Sequence, residues 1–350
     1  MAEKSLRAAI IGCGPGGENR GGVHSIAYAH GWAFANRDDI DLFAAASRTE
    51  ANRDAFLNDF PGTRMYADYR EMLEAEQPDL VSVCAFPQDR ETMVGAALDA
   101  GAKILWCEKP FALSTGAADR LLAAAEAAGA RIFLNHQRRF GEVFGFWREA
   151  IASGEIGNLE SVDIVQPGPG LIDFGIHLID AAQSILGERK AVQVMAGADW
   201  DGGDYKGLKI EKHLLGAIGF DDGVRLSYEA GSAKRAQPIL RATGDAGYAE
   251  LHVGPKAHMA SVFRRLNPTG VLNPPADTHF HHGEDGNLFY KRTLAEILDA
   301  VGTDRASPID GKVARTGIEW MAGLIESART AKRLSFPLEQ TDSPLELLQS

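Results

Sequence analysis

The chain has only three cysteines in 350 residues, Cys13, Cys84 and Cys107, an odd number with no CxxC spacing. That argues against a disulfide framework and a cysteine-built zinc site. No apolar run approaches the ~18 uninterrupted residues that a membrane span requires. No basic region followed by a signal-length apolar segment opens the chain, so a soluble cytoplasmic protein without a membrane partner is expected. Positive charge is also scarce: 36 Lys+Arg face 48 Asp+Glu, a formal charge of −12. A nucleic-acid binder needs a basic face to release counterions, so nucleic acid is not an expected partner. The chain has no GxSxG and no cysteine with a nearby His signature, which leaves nucleophilic hydrolysis unsupported.

What is present is material for a large core, with 45% hydrophobic and 24% charged residues. The length suggests about two domains. Residues 7–12, 42–46, 80–85, 103–107 and 131–135 are short apolar runs that read as strands. Ala-rich or amphipathic stretches such as 91–100 and 114–128 lie between them. Continuous apolar strands alternating with helices predict a doubly wound parallel α/β sheet covered on both faces. After Gly157 the strand-like runs 159–165, 192–195, 214–220, 225–229, 240–243 and 248–253 follow one another without helices. That succession predicts an antiparallel sheet in an α+β domain, closed by helices at 285–301 and 313–330. The expected division is 1–140 and 141–350.

Five groups of residues carry candidate chemistry. Gly12, Cys13, Gly14, Pro15, Gly16 and Gly17 fit GxGxxG directly after the first strand, where glycines let the backbone approach a pyrophosphate. Residues 18–22, with a second glycine pair, lengthen that turn. The second strand ends in Ser47 and Arg48 where an NAD-selective site carries a carboxylate. A hydroxyl and a guanidinium there suit a 2′-phosphate and favour NADP over NAD, the alternative being an Arg48 that points into solvent. Glu108, Lys109 and Pro110 follow the strand at 103–107, and a lysine at a strand C-terminus is placed to stabilise developing negative charge on a substrate oxygen. Asp173, His177 and Asp180 sit at i, i+4 and i+7 on one predicted helical face, where a carboxylate can orient an imidazole for acid–base work. His279, His281 and His282 precede Glu284; their extended spacing lacks the helical i, i+4 of a zinc protease, so a polar loop bordering a substrate pocket is expected rather than a metal site.

Taken together, the GxGxxG turn, Glu108-Lys109-Pro110 and the DxGxH of Asp173, Gly175 and His177 resemble the Gfo/Idh/MocA family of oxidoreductases. NHQRRF at 135–140 and GEIG at 154–157 add to that resemblance. It implies a Rossmann domain followed by a substrate-binding and oligomerisation domain with a large, mostly antiparallel open sheet, assembled as a homodimer or homotetramer. It also implies NAD(P)-dependent hydride transfer at a secondary hydroxyl of a sugar, sugar derivative or cyclitol. By the resemblance, Lys109 hydrogen-bonds the reacting oxygen, His177 exchanges its proton and Asp173 orients the pair. Gly12, Gly14 and Gly17 line the pyrophosphate; Phe86, Pro87, Glu108 and Gln137 contact the dinucleotide. Arg139 lies near cofactor or substrate, and Asp180, His279 and His281 are substrate candidates able to pair hydroxyls. Glu91 stands where the family often has His. A glycosidase using transient oxidation by a retained NAD(H), or a non-catalytic sensor, are the alternatives on the same fold.

Overall fold

A computed structural model describes residues 5–17, 25–231, 239–253, 259–266, 269, 271, 277–281 and 285–348. The extended turn at 18–22, and His282 and Glu284, lie outside the described residues. The chain begins β1 (Leu6–Ile11), α1 (Ile26–Ala35), β2 (Ile40–Ala46), α2 (Glu50–Asp59), β3 (Arg64–Tyr66) and α3 (Tyr69–Glu76). It continues β4 (Leu80–Val83), α4 (Pro87–Asp99), β5 (Ile104–Cys107), α5 (Thr115–Ala127) and β6 (Arg131–Leu134). A short turn at Gln137–Phe140 leads to α6 (Glu142–Ala152), β7 (Leu159–Gln166) and, past a π-helical turn at Leu171–Gly175, α7 (Ile176–Leu186). Then come β8 (Ala191–Asp199), β9 (Asp204–Tyr205), β10 (Leu208–Lys209), β11 (His213–Phe220) and β12 (Arg225–Ala230). The remainder is β13 (Leu240–Gly244), β14 (Gly247–Val253), β15 (Met259–Arg265), β16 (Asp277–His281), α8 (Gly286–Gly302), α9 (Gly311–Thr330), β17 (Leu334–Ser335) and α10 (Pro344–Leu347).

The chain divides into two compact units. The first comprises Met1–Ala112, Gly116–Gln137 and Asp285–Arg315; the second comprises Leu113–Thr115, Arg138–Glu284 and Thr316–Ser350. Residues 285–315, which a cut at 140 assigns to the second domain, thus pack with the first.

In the first unit, six parallel strands lie in the order β3-β2-β1-β4-β5-β6. Their apolar residues are consecutive rather than alternating, because helices cover both faces; Ile10, Val81, Val83 and Leu105 are completely buried. The strand order reverses direction between β1 and β4, so the loops after these two strands part and leave a crevice at the sheet's C-terminal edge. The returning segment completes the same unit. Helix α8 packs on α1, Leu134 N–H donates to Ile309 O at 2.9 Å, and Arg131 pairs with Asp310 at 2.8 Å. Edge strand β6 is thereby covered.

The second unit is built on nine strands in the order β16-β15-β14-β13-β7-β12-β11-β8-β17. Every pairing is antiparallel except β7 with β12, which is parallel. Burial alternates along β11 and β12, as expected for a sheet with one packed face. Helix α9 supplies part of the cover: Trp320 meets Phe220 edge-on at 5.3 Å, and Leu324 approaches Gly216 closely enough to exclude a side chain there. Met195 and Leu215 lie on neighbouring strands and are 63% and 66% exposed. Residues 279–281 of the run 279–285, expected as a polar loop, lie in strand β16, paired antiparallel with β15 in register His279↔Ser261.

Candidate active site

The glycine turn sits at the β1/β4 crevice. Gly12 has φ +96°, and a Cβ there would lie 3.0 Å from Ala85 N and 3.1 Å from Cys84 C, so only glycine fits. Gly12 N–H and Cys13 N–H both donate to Ala46 O, at 3.0 and 3.2 Å, which ties the turn to the end of β2. A Cβ on Gly14 would meet Ser25 Cβ at 2.8 Å, and one on Gly16 would meet Ala55 Cβ at 3.2 Å. Pro15 O accepts from Ser25 N–H at 3.1 Å, and Gly17 closes the described part of the loop. Ser25 is the N-cap residue of α1 yet makes no cap bond, and its buried hydroxyl has no partner among the described residues. Sequence reasoning missed Ser25. A glycine cradle beside a hydroxyl with no partner among the described residues, at a helix N-terminus, fits a dinucleotide pyrophosphate.

Ser47 is buried, and its hydroxyl proton goes to Cys13 O at 2.6 Å, making it a brace between the two loops. Arg53 Nη1 braces the same turn from Ser47 O, at 2.9 Å. Arg48 is exposed, and its guanidinium makes no hydrogen bond or ion pair among the described residues. Phe86 is the exposed N-cap of α4, with Pro87 at the first helical position. Glu91 on that helix accepts from Arg120 Nε at 2.5 Å and Nη2 at 3.0 Å. Gln137 donates to Tyr290 Oη at 3.4 Å, while its buried Oε1 has no partner among the described residues.

Glu108 and Lys109 emerge from β5. The Glu108 carboxylate is buried and accepts from His30 Nε2 at 3.1 Å, from Asn135 Nδ2, and from Lys109 N–H at 3.2 Å. Burial works to raise its pKa; the hydrogen bond and charge of His30, the charge of Lys109 and the Asn135 amide outweigh it and hold the carboxyl below its ordinary value. Past Lys109, the Pro110 carbonyl is held by Arg90 Nη1, whose Nη2 donates to Ala85 O at 2.6 Å.

In the second unit, Asp173 lies in the π-helical turn and His177 in the first turn of α7. The simple i, i+4 register therefore does not run through Asp173, because a π turn closes over more residues per bond than an α turn. Only glycine fits at 175, the last residue of this turn: a Cβ there would collide with Tyr228 Oη and Gln166 Oε1. Gln166, on β7, accepts from Tyr228 Oη and donates to Gly168 O at 3.3 Å and Pro169 O at 3.0 Å, which fixes the turn that precedes Asp173. Asp173 Oδ1 accepts from Tyr205 Oη at 3.2 Å. Asp180 and Arg139, both substrate candidates, are paired with each other: Nε donates to Oδ1 at 2.8 Å and Oδ2 at 3.0 Å, with both side chains buried. His279 packs its ring on Phe146 at 4.8 Å and Phe263 at 6.0 Å. His281 pairs with Met259 along β16.

Glu211, which sequence reasoning also missed, is buried and accepts through Oε1 from Gly170 N–H at 3.0 Å and Leu171 N–H at 2.5 Å. It thereby satisfies the first donors of the turn that carries Asp173. Burial raises its pKa against the opposing backbone hydrogen bonds. The folded protein holds this proton more tightly than the unfolded chain does. The group's stabilising contribution is therefore complete below the ordinary carboxyl range and is lost as pH rises through the raised value. Glu211→Gln keeps an acceptor oxygen for both N–H groups and cannot ionise. Its melting temperature should exceed the wild type's at neutral pH and converge with it in acid. Glu211→Ala should cost about 2–6 kcal/mol, since each stranded buried donor costs roughly 1–3 kcal/mol. A wild-type melting temperature for the alanine variant would refute the bracing role.

A parallel sheet with its strand-order reversal beneath a glycine turn defines a dinucleotide-binding fold. Residues 6–136 match the model of the Gfo/Idh/MocA oxidoreductase family, NAD-binding Rossmann fold. It is 27% identical over 274 residues to D-glucoside 3-dehydrogenase of Escherichia coli (strain K12), covering 69% of this chain and 74% of that enzyme. It is 27% identical over 180 residues to myo-inositol 2-dehydrogenase of Thermotoga maritima, covering 48% of this chain but only 54% of that one. Among solved structures, the WlbA dehydrogenase of Bordetella pertussis in complex with NADH and UDP-GlcNAcA superposes with a TM-score of 0.75 at 17% identity, over 96% of this chain and 100% of that chain. Among the described residues no helix is long and apolar enough to cross a membrane.

Proposed function

We propose that the protein transfers a hydride between NAD(P) and a secondary hydroxyl, or the corresponding ketone, of a sugar, sugar derivative or cyclitol. The observation that carries this reading is the pinned Glu108-Lys109-Pro110 segment at the C-terminal end of β5, in a NAD-binding Rossmann unit. A bound nicotinamide supplies the two-electron hydride chemistry. Lys109 donates a hydrogen bond to the reacting oxygen and stabilises charge that develops on it. His177 takes the hydroxyl proton in oxidation and returns it in reduction, and Asp173 sets the orientation of that imidazole. Gly12, Gly14, Pro15, Gly16, Gly17 and the Ser25 hydroxyl hold the pyrophosphate; Phe86, Pro87 and Gln137 border the rest of the dinucleotide.

NADP is preferred over NAD on this reading, because Arg48 is exposed at the end of β2, its guanidinium has no hydrogen bond or ion pair to a described residue, and Ser47 and Arg48 stand where a carboxylate would bind a ribose 2′-hydroxyl. Arg139 and Asp180 act on substrate as a neutralised pair rather than as two free charges, with His279 and His281 as further hydroxyl partners. The exposed Met195 and Leu215 are consistent with a homodimer or homotetramer built on the open sheet face. The relatives named above are dehydrogenases, and the glycoside-cleaving and sensing alternatives find no support among them.

The test is a turnover panel of the purified protein with NADP and NAD against sugars, sugar acids, cyclitols and glycosides, followed by nicotinamide absorbance. Net reduction with one polyol class, faster with NADP, is the expected result. Silence across the panel with nucleotide still bound would refute net dehydrogenation, and a faster rate with NAD would refute the role given to Arg48.

A further inference from the structure

The carboxylate next to Lys109 is the centre of a buried polar network that no part of the proposed chemistry uses. Glu108 is 7% exposed at its side chain, and His30, on α1, is completely buried. The imidazole spans two strands: Nδ1 meets Ser82 Oγ of β4 at 2.5 Å, and Nε2 meets Glu108 Oε1 at the end of β5 at 3.1 Å. Its ring lies against Trp106 at 3.8 Å, with Tyr290 of α8 edge-on at 5.4 Å. Asn135, buried at the end of β6, donates to the same carboxylate oxygen and anchors its own N–H on Cys107 O at 2.8 Å.

Four polar side chains inside an aromatic and aliphatic layer are expensive to bury unless each is satisfied. Ser82, His30 and Glu108 are each satisfied, while the buried Asn135 Oδ1 has no partner among the described residues. With a neutral imidazole, Ser82 donates to Nδ1 and Nε2–H donates to Glu108. With an imidazolium, Nδ1–H donates to Ser82, whose own proton turns to Trp106 O at 3.4 Å. The Ser–His–carboxylate order is that of a hydrolase triad, but Ser82 has no solvent exposure and no substrate reaches it. The remaining oxygen, Oε2, accepts the Lys109 backbone N–H.

We propose that Glu108 is a positioning residue rather than a dinucleotide contact: Ser82, His30 and Asn135 hold its carboxylate inside the unit, so that it fixes the backbone from which Lys109 departs. This rests on the reading of Lys109 given above. Catalytic groups must be held to within a fraction of an ångström, and their supporting shell does the holding.

The experiment is a two-readout comparison on the full-length protein: the NADH dissociation constant, and kcat with the panel's best polyol. Glu108→Gln should bind NADH within about twofold of wild type while kcat falls about tenfold to a hundredfold. His30→Phe should lose kcat similarly, His30→Gln should recover most of it by donating an amide N–H to Glu108, and the double variant His30→Phe/Glu108→Gln should be no worse than Glu108→Gln. Should His30→Phe fail to bind NADH, the kcat-against-Kd split in Glu108→Gln still decides. A tenfold or larger rise in the NADH dissociation constant of Glu108→Gln would overturn the proposal, as would losses that multiply in the double variant. Lys109→Ala in the same assay separates the two readings. Normal turnover there removes the role of Lys109, whereas loss there with normal turnover in Glu108→Gln removes the positioning role alone.

Discussion

Lys109→Ala is expected to reduce turnover about 10²- to 10³-fold, the usual consequence of removing one donor from a developing oxyanion. NADH affinity should stay near wild type, because the backbone on either side of residue 109 is held by groups the substitution leaves in place. Glu108 Oε2 accepts the residue's N–H, and Arg90 grips the next carbonyl, that of Pro110. Lys109→Arg should not restore the rate. A guanidinium is planar and longer, and it cannot put a compact charge where an ammonium stood. Stopped-flow hydride transfer alongside an NADH titration separates these quantities. A rate within threefold of wild type in Lys109→Ala would remove the lysine from the chemistry.

Gly12→Val should abolish measurable NADH binding and lower stability by about 2–6 kcal/mol. Two causes add. A non-glycine residue held at φ +96° is strained by roughly 1–3 kcal/mol, and overpacking adds roughly 1–3 kcal/mol more. The second cause is specific to this turn, since the atoms a side chain would meet belong to the backbone of Cys84 and Ala85 and cannot rotate away. Gly62 provides the control. Its φ is +99°, but a Cβ on it would find nothing within 4 Å, so Gly62→Ala should show the strain alone and bind NADH normally. Thermal unfolding and NADH titration of both variants test the argument. Equal behaviour of the two would show that close backbone approach at Gly12 matters less than its geometry implies.

The parts of the fold that were legible in the sequence are those whose cause is local. The strands β1, β2, β4, β5 and β6 are runs of consecutive apolar residues, and β11 and β12 alternate; both patterns are visible without knowing any partner. Strand β3 is only Arg64–Tyr66 and half-buried, so it carries no such pattern and is strand only because β2 pairs with it. The sequence likewise presented Asp173 and His177 as a helical pair. Asp173 lies in a π turn whose Gly175 has Tyr228 and Gln166 too close for any side chain, contacts that spacing does not show. Arg139 and Asp180 are 41 residues apart, and their mutual neutralisation is equally invisible to spacing. The supporting groups His30, Ser82, Tyr205 and Glu211 form no motif at all; each is recognisable only from what it touches.

The return of residues 285–315 to the first unit bears on how a ribosome delivers this protein. When residue 137 has emerged, the six strands are all available, but α1 lacks its α8 partner and β6 has an open edge toward Ile309 and Asp310. Completion waits for about 180 further residues, roughly 10–35 s at ordinary translation rates. During that interval the nascent nucleotide-binding half exposes an apolar helix face and an unpaired strand, the two features that recruit chaperones or promote association. A gene fragment ending near residue 140 would carry the same defect permanently and should accumulate in inclusion bodies, whereas supplying residues 285–315 on a tether should recover soluble material.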